Sequence, residues 1–253
     1  MADRPLAFHA LHGIPAVESG DDVAALLANA LRHAGLDVRA GDVVAVTQKI
    51  VSKAEGRLLR LADVQPGARA KALAAETNKD PRVVELLLQE SREILRARRD
   101  IIIAEHRTGL ILANAGIDRS NLSGGDEFVL LLPENPDASA AAIREALARE
   151  FGIAPGVIVT DSVGRPWRLG TVGLAIGSAG VPVVKDLRGT RDLYERELQV
   201  SETAPADSLA AAAVLVMGEA AEGTPAVLIR GFHETSTQVA ADALRQKNLD
   251  LFR

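Results

Sequence analysis

The sequence predicts an α+β fold in which strands and helices follow one another irregularly. Segment 21–34 repeats apolar residues at helical spacing and begins with two acidic residues, a pattern that favours a helix. The runs 43–46 and 157–160 are short and apolar, as is typical of buried strands. Because the two kinds of segment do not alternate strictly, we expect an α+β or irregular α/β arrangement rather than a doubly wound sheet.

Turn and capping residues place the remaining elements. Asp followed by Pro at 80–81 predicts a helix that runs to about residue 98, and Asn-Pro-Asp at 135–137 predicts one that runs to about residue 150. Three further helices are expected at 67–76, 206–217 and 237–246. Four further strands are expected at 101–105, 110–113, 128–132 and 226–229.

Length and composition indicate one large domain that spans residues 1–253, in one or two lobes. A chain of 253 residues can bury a sizeable core, and 47% apolar with 25% charged residues is ordinary for a soluble globular protein. Aromatic residues make up only 3%, so the core must rest on Ala, Leu, Val and Ile. The small, apolar segment 170–179 contains glycines that permit close backbone approach.

Several functional classes are excluded by composition. The net charge of −5 without a long basic run argues against nucleic-acid binding. The absence of cysteine excludes disulfides, thiolate catalysis and cysteine-ligated zinc. The N-terminus has no apolar signal core and no apolar run is long enough to span a bilayer, so we expect a cytoplasmic protein without a membrane partner.

Two short polar segments, 114–121 and 160–168, each follow a strand-like run and combine an Asp, a hydroxyl, a Gly and an Arg. Such a mixture is costly to bury without a reason, and oxygen ligands beside cations suit a hard metal ion and a phosphate. We therefore expect Asp118 and Asp161 to share a divalent cation. The alternative is that each Asp hydrogen-bonds the backbone of its own loop.

A third polar segment, 47–57, places Lys49, Lys53 and Arg57 at four-residue intervals after a strand. Lysine is a suitable point charge for polyphosphate. Taken alone, the spacing favours a basic helical face paired with Glu55. The sequence has no Walker A motif and no other usual Gly-rich phosphate loop, so a nucleotide would have to use another scaffold.

Four other residues are candidates for the site, and for two of them, Glu219 and Trp167, two interpretations stay open. Glu219 is either a metal ligand or an exposed residue at a helix end. Arg165 and Arg168 are suited to hold carboxylates or phosphates. Trp167 is either a stacking surface or a core aromatic, and the usual burial of Trp favours the core.

These motifs, in this order, resemble the coenzyme F-420:L-glutamate ligases, and the resemblance runs from about residue 11 to residue 231. The most specific are Asn-Ala-Gly-Ile-Asp-Arg-Ser-Asn at 114–121 and Gly-Arg-Pro-Trp-Arg at 164–168. The other matching segments are 13–15, 20–22, 51–57, 132–133, 136–139, 159–161 and 175–177. The chain resembles the stand-alone form, because it is too short to hold the nitroreductase-like domain of the fused bacterial forms.

The resemblance implies a GTP-dependent ligase in coenzyme F-420 biosynthesis. Such an enzyme adds L-glutamate to F-420-0, the lactyl phosphodiester form of the deazaflavin coenzyme, through an acyl phosphate, and then adds γ-linked glutamates. The implied cofactors are Mg²⁺ or Mn²⁺, together with K⁺. The implied fold is two-lobed and forms an intertwined homodimer.

The resemblance also assigns site residues position by position. The metal positions are Asp118, Asp161, Ser162, where the family commonly has Thr, and Glu219. The nucleotide positions are Gly13, Ile14, Pro15, Ala16, Gln48, Lys49, Lys53, Asn121, Met217, Gly218, Glu219, Ala220 and Gly223. Our mechanistic hypothesis adds three catalytic residues: Lys53, which would hold phosphate charge, and Arg165 and Arg168, either of which would hold a substrate carboxylate or phosphodiester.

Two departures from the family pattern leave the substrate open. Glu195 replaces a usual Gly, and Ser208 replaces a usual acid. If Gly is needed at 195 for a positive φ, the local backbone must have changed. The departures motivate one alternative, a related amide ligase that acts on another carboxylate cofactor. A second alternative is a non-catalytic nucleotide-binding dimer.

Overall fold

The computed structural model describes residues 5–122 and 124–252 and is built around a five-stranded mixed sheet. In spatial order the strands are β1 (Ala7–Leu11), β12 (Ala226–Arg230), β2 (Val43–Thr47), β8 (Gly156–Arg165) and β9 (Arg168–Ala179). The pair β2–β8 is parallel, and the other three pairs are antiparallel. The mixture of sheet and helices agrees with the predicted α+β class.

Six α-helices lie within the described residues. They are α1 (Val23–His33), α2 (Gln48–Ala54), α3 (Ala68–Thr77), α4 (Pro81–Glu90), α5 (Pro136–Phe151) and α6 (Pro205–Met217). The side chains of Asp22, Asp80 and Asn135 accept hydrogen bonds from backbone N–H groups in the first turns of α1, α4 and α5. These caps confirm the predicted helix starts at 80–81 and 135–137.

Both faces of the central sheet are covered by helices. On β2, Val44 and Val46 belong to the apolar cluster that contains α1 and α5, whereas Val43 and Ala45 belong to the cluster that contains α6. Successive residues of a strand point to opposite faces, so a strand between two helical layers must be apolar throughout. This requirement explains the uninterrupted apolar run at 43–46.

A second group of elements packs around its own apolar residues. The antiparallel sheet β4 (Ser91–Arg98), β5 (Ile101–His106) and β6 (Ile111–Ala113) packs against α3 and α4. Two short antiparallel pairs complete the strands: β3 (Leu58–Arg60) with β7 (Phe128–Leu130), and β10 (Lys185–Asp186) with β11 (Glu202–Thr203). No helix within the described ranges has both the length and the apolar character needed to cross a membrane.

The predicted helix at 80–98 is wrong beyond Glu90. From Ser91 the backbone is extended, and Ser91–Arg98 forms β4, which pairs with β5. Its charged side chains, Arg92 and Glu93 among them, imitate the solvated face of a helix, while Ile94 packs into the core. Long-range strand pairing therefore overrides the local helical pattern.

The predicted helix at 237–246 is also wrong, because only Ala240–Ala243 form a short 3₁₀ turn. The carboxylate of Asp137 accepts hydrogen bonds from the backbone N–H groups of Ala240 and Ala241, at 2.7 and 3.2 Å. Gln238 bonds the backbone at Val183 and Val184. Asp137 thus satisfies two N–H groups of this backbone, and Gln238 ties the segment to the neighbouring chain, so the segment is held without a helix of its own.

The predicted close approach along 170–179 is confirmed at two glycines of β9. A Cβ on Gly177 would lie 2.2 Å from the carbonyl oxygen of Pro136, and one on Gly173 would lie 2.5 Å from that of Ala210. Pro136 begins α5 and Ala210 lies on α6. Glycine thus lets helices on the two faces of the sheet approach the same strand.

The structure answers the question raised by Glu195. This residue adopts φ +61°, the conformation for which Gly is suited, and its carboxylate lies 3.1 Å from the guanidinium of Arg191. The positive φ is therefore present with Glu at this position. Ser208 is exposed in the first turn of α6 and donates a hydrogen bond to the carbonyl of Ala204.

A buried ion network joins the two groups of elements. Glu90, at the end of α4, accepts a hydrogen bond of 2.7 Å from Arg57, whose Nε also donates to the carbonyl of Leu132. Thr108 N–H donates to Nδ1 of His106, which leaves the Nε2 hydrogen of His106 to face Glu90 at 3.3 Å. Burial alone would raise the pKa of Glu90, but these hydrogen bonds and the nearby arginine charges hold that pKa below its ordinary value.

We predict that Glu90→Gln destabilises the protein in a pH-dependent way. Because the pKa of Glu90 is lowered on folding, its contribution is complete above the unfolded-state pKa of about 4.3 and is lost as the pH falls through the folded-state value. Breaking a buried ion pair costs about 3 kcal/mol, so we expect a loss of this size in the free energy of unfolding at pH 7. The loss should shrink below about pH 4.

Urea unfolding across this pH range measures the effect. Glu145→Gln, an exposed change on α5, is the matched control and should alter the free energy of unfolding by less than about 0.5 kcal/mol. A loss at Glu90→Gln that is equally large at acidic and neutral pH would contradict an electrostatic role.

Candidate functional site

A cleft of about 620 Å³ opens where the parallel pairing of β2 with β8 ends. Thr47 and Thr160 are paired at this point, so the residues that follow them emerge side by side. After Thr47 the chain enters α2, and after Thr160 it continues along β8 to Asp161. Segments around residues 14–17, 113–121 and 217–225 complete the walls.

One wall is organised by Lys49. Its ammonium forms an ion pair with Asp118 and donates a hydrogen bond of 2.8 Å to the hydroxyl of Ser120. Asp118 also accepts hydrogen bonds from the backbone N–H and the hydroxyl of Ser120. Asp118 therefore both braces its own loop and faces a cation from another segment. Burial lowers the pKa of Lys49 below its ordinary value, while Asp161 and Glu219 act in the opposite direction.

A second part of the lining holds Asp161, Ser162 and Glu219. Burial raises the pKa of Asp161 to about 6; the carboxylate of Glu219 adds to the rise, while the Ser162 N–H and the charge of Lys49 oppose it. The Ser162 hydroxyl donates a hydrogen bond of 2.6 Å to Glu219. Lys49 thus interacts with three carboxylates from three other segments, Asp118, Asp161 and Glu219.

Asn121 connects the segment 113–121 to the segment 217–225 across the mouth of the cleft. Its side-chain amide donates a hydrogen bond of 3.0 Å to the carbonyl of Ala220. Its own carbonyl lies 3.4 Å from the ammonium of Lys53. Glu222 accepts a hydrogen bond from the Ala220 N–H, so a side chain of the segment 217–225 also stabilises that segment.

The structure brings most of the predicted site residues into this one cleft. Those that line it are Ile14, Pro15, Ala16, Lys49, Lys53, Asp118, Asn121, Asp161, Ser162, Met217, Gly218, Glu219, Ala220 and Gly223.

Four predicted site residues do not line the cleft. Gln48 is buried and accepts a hydrogen bond from Ser52, and Gly13 lies just outside the lining. Arg165 and Arg168 lie at the far turn of the β8–β9 hairpin. The interpretation of Trp167, in the same turn, as a core aromatic is wrong, because its side chain is 88% exposed.

The sequence interpretation did not single out several lining residues. Thr47 and Thr160 end the parallel pair, and Glu222 and Thr224 lie in the loop that carries Glu219. The two threonines stand at the ends of the apolar runs 43–46 and 157–160, and this position is the sequence signal that could have identified them. Their adjacency follows from the parallel pairing, which no local pattern shows.

The donor set fits a hard divalent cation in chemical type. Asp118, Asp161, Ser162 and Glu219 offer only oxygen atoms, which are the ligands that Mg²⁺ and Mn²⁺ prefer. Within the described residues, no three His, Cys, Asp or Glu side chains form a ready-made metal cluster. In the protein alone, the Lys49 ammonium provides the positive charge beside Asp118.

Comparison with known proteins identifies the family. The model of the family F420-0:Gamma-glutamyl ligase matches residues 13–231. A coenzyme F420:L-glutamate ligase of Methanopyrus kandleri is 47% identical, over 94% of this chain and 93% of the relative. The proteins of the same name from Methanothermobacter thermautotrophicus and Archaeoglobus fulgidus are 45% and 39% identical, each over 96% of this chain and over 97% and 94% of the relatives.

The protein is an enzyme of the ligase class. This follows from its relatives, which are ligases by name, and it agrees with the mixed α/β fold and with a polar cleft that holds carboxylates and lysines. The family match covers most of the chain and includes all the segments that line the cleft. The chain belongs to the F420-0:gamma-glutamyl ligase family.

Proposed function

We propose that the protein adds L-glutamate to coenzyme F420-0 in a reaction that converts GTP to GDP and phosphate. It then extends the product by γ-linked glutamates. The observation that supports this most directly is the cleft itself. It combines Asp118, Asp161 and Glu219 with Lys49 and Lys53, in a chain of this family. Carboxylates and lysines of this kind suit a nucleotide triphosphate and its cation.

The lysines and the carboxylates have separate roles in this proposal. Lys49 and Lys53 hold phosphate oxygens of GTP, and the loop with Gly218 and Gly223 lies against the nucleotide. Asp118, Asp161, Ser162 and Glu219 would hold Mg²⁺ or Mn²⁺, which supplies positive charge to the phosphates when bound. A site for K⁺ is part of the proposal without assigned residues. Lys49 exchanges its contact with Asp118 for one with phosphate.

The proposed chemistry proceeds in two steps. An oxygen of the lactyl carboxylate attacks the γ-phosphorus of GTP, the bond to the β–γ bridging oxygen breaks, and GDP leaves with the electron pair. The amine of glutamate then attacks the acyl carbon, phosphate leaves, and the nitrogen loses a proton as the amide forms. Phosphoryl transfer needs mainly position and charge from the protein, which this cleft can supply.

Arg165 and Arg168 keep in the proposal the substrate-binding role that the sequence suggested, at a position outside the cleft. They do not line the cleft, so they do not touch the reacting atoms in the described structure. They are instead available to an anionic part of the acceptor farther along the β8–β9 hairpin.

We expect Asp118→Asn and Asp161→Asn each to lower kcat/KM for glutamate ligation by at least about 100-fold, because each removes a negative charge at the phosphate and cation site. Ligation is measured by mass spectrometry with F420-0, L-glutamate, GTP and Mg²⁺ or Mn²⁺. Asp126→Asn is the matched control: its side chain is 98% exposed, it pairs with Arg119 outside the cleft, and the change should leave kcat/KM intact. Ligation at the unmodified rate by either cleft variant would refute the assignment.

The acyl phosphate is tested with F420-0 labelled with ¹⁸O in its lactyl carboxylate. We expect one labelled oxygen to appear in the released phosphate, because the attacking carboxylate oxygen stays on phosphorus when the amide forms. The same reaction with ordinary acceptor in ¹⁸O-labelled water is the control and should give unlabelled phosphate. Ligation that leaves the phosphate unlabelled in the first reaction would exclude this intermediate.

We also propose that the protein acts as a homodimer. Exposed apolar side chains support this, in particular Leu193 and Tyr194 in the segment between β10 and β11 and Leu215 on α6. Sedimentation equilibrium should give twice the chain mass of 26.7 kDa. A mass of one chain at micromolar concentration would contradict the dimer.

A further inference from the structure

The turn between β8 and β9 exposes the protein's one tryptophan in a strained conformation. Trp167 adopts φ +66°, which a bulky residue rarely does, and its side chain is 88% exposed. The ring of Phe252 lies 6.2 Å away at 58° and leaves most of the indole open. Strain and exposure both oppose this placement in the protein alone, and such outliers cluster where a ligand binds.

The same turn holds two arginines that have no acidic partner among the residues that the structure describes. Arg165 and Arg168 are paired across the hairpin, where like charges repel each other. Within residues 5–122 and 124–252 neither forms an ion pair, and Arg165 makes one hydrogen bond of 3.0 Å to the carbonyl of Gly170. An anion between the two guanidinium groups would relieve this repulsion.

The hairpin fixes the turn relative to the cleft. Asp161 and Arg165 lie four residues apart on β8, so about 13 Å of extended strand separates them. Asp161 lines the cleft, and Arg165 lies at the outer end of the same strand. A long acceptor with its carboxylate in the cleft would therefore extend along the hairpin toward the turn.

We infer that this turn is the acceptor-recognition element of the enzyme: Trp167 stacks on the flat aromatic ring system, and Arg165 and Arg168 hold the phosphodiester. The inference rests on the proposed function. The acceptor has its groups in the required order, with the reacting carboxylate at one end, the phosphodiester next and the ring system beyond. Charge complementarity and an open indole face favour this occupant over a purely apolar one.

Kinetics with purified F420-0 test the inference. Trp167→Ala should raise the KM for F420-0 about 10-fold, the size of effect that loss of an aromatic stack produces, and leave the KM for GTP and for glutamate unchanged. Trp167→Phe keeps an aromatic face and should stay within about 3-fold. Arg165→Gln should also raise the KM for F420-0. Arg69→Gln, an exposed arginine on α3, is its matched control and should have no effect.

A measurement on the unmodified protein does not depend on how the variants fold. Because Trp167 is the one tryptophan, its emission reports this turn alone. Saturating F420-0 should lower the slope of acrylamide quenching several-fold, since a stacked ring covers the indole. GTP with Mg²⁺ alone should leave the slope unchanged.

The possible failures are distinguishable. If the unmodified enzyme attaches no glutamate to F420-0, the proposed function fails. If it does, but F420-0 leaves the quenching slope unchanged and Trp167→Ala keeps the normal KM, only the present inference is overturned. A dimer that dissociates in Trp167→Ala, with an unchanged KM for F420-0, would also overturn it and assign the turn to a contact between copies of the chain.

Discussion

The parallel pairing of β2 with β8 is the constraint on which the rest of the site depends. Its register runs from Val43 opposite Gly156 to Thr47 opposite Thr160, so β2 ends beside the point where β8 continues to Asp161. A parallel pair requires a long crossover, and here residues 48–155 form it. That crossover contains the second group of elements, which returns Asp118 to the same place. The pairing thus places the start of α2, with Lys49, beside Asp161 on β8.

Compensation among charges explains how so polar a cleft persists in the protein alone. Lys49 is buried enough to have a lowered pKa, and Asp161 is buried enough to have a raised one. Each lowers the cost of burying the charge of the other, and Asp118 forms a further ion pair with Lys49. A nucleotide and a cation would replace these internal contacts with contacts of the same kind. The ion pair at Asp118 is therefore compatible with a metal role for this residue.

Local sequence patterns predicted the elements whose determinants are local. The caps at 80–81 and 135–137 and the apolar run at 43–46 have the structures that they indicated. The patterns failed at 91–98, where pairing with β5 overrides a helical charge pattern, and at 240–243, where Asp137 bonds the backbone. For the site, motifs gave most of the lining residues through the family resemblance. The adjacency of Thr47 and Thr160 and the exposure of Trp167 depend on tertiary structure.

The β8–β9 hairpin joins the polar cleft to the outer turn with a fixed geometry. Its register shifts twice, between Val159 and Thr160 and between Gly164 and Arg165. Such irregularities increase local twist and re-aim side chains. The regular stretch between them contains Asp161 and Ser162, which face the cleft. The distance from Asp161 to the turn is therefore set by the length of paired strand, whereas the shift between Gly164 and Arg165 determines how the side chains of the turn are aimed.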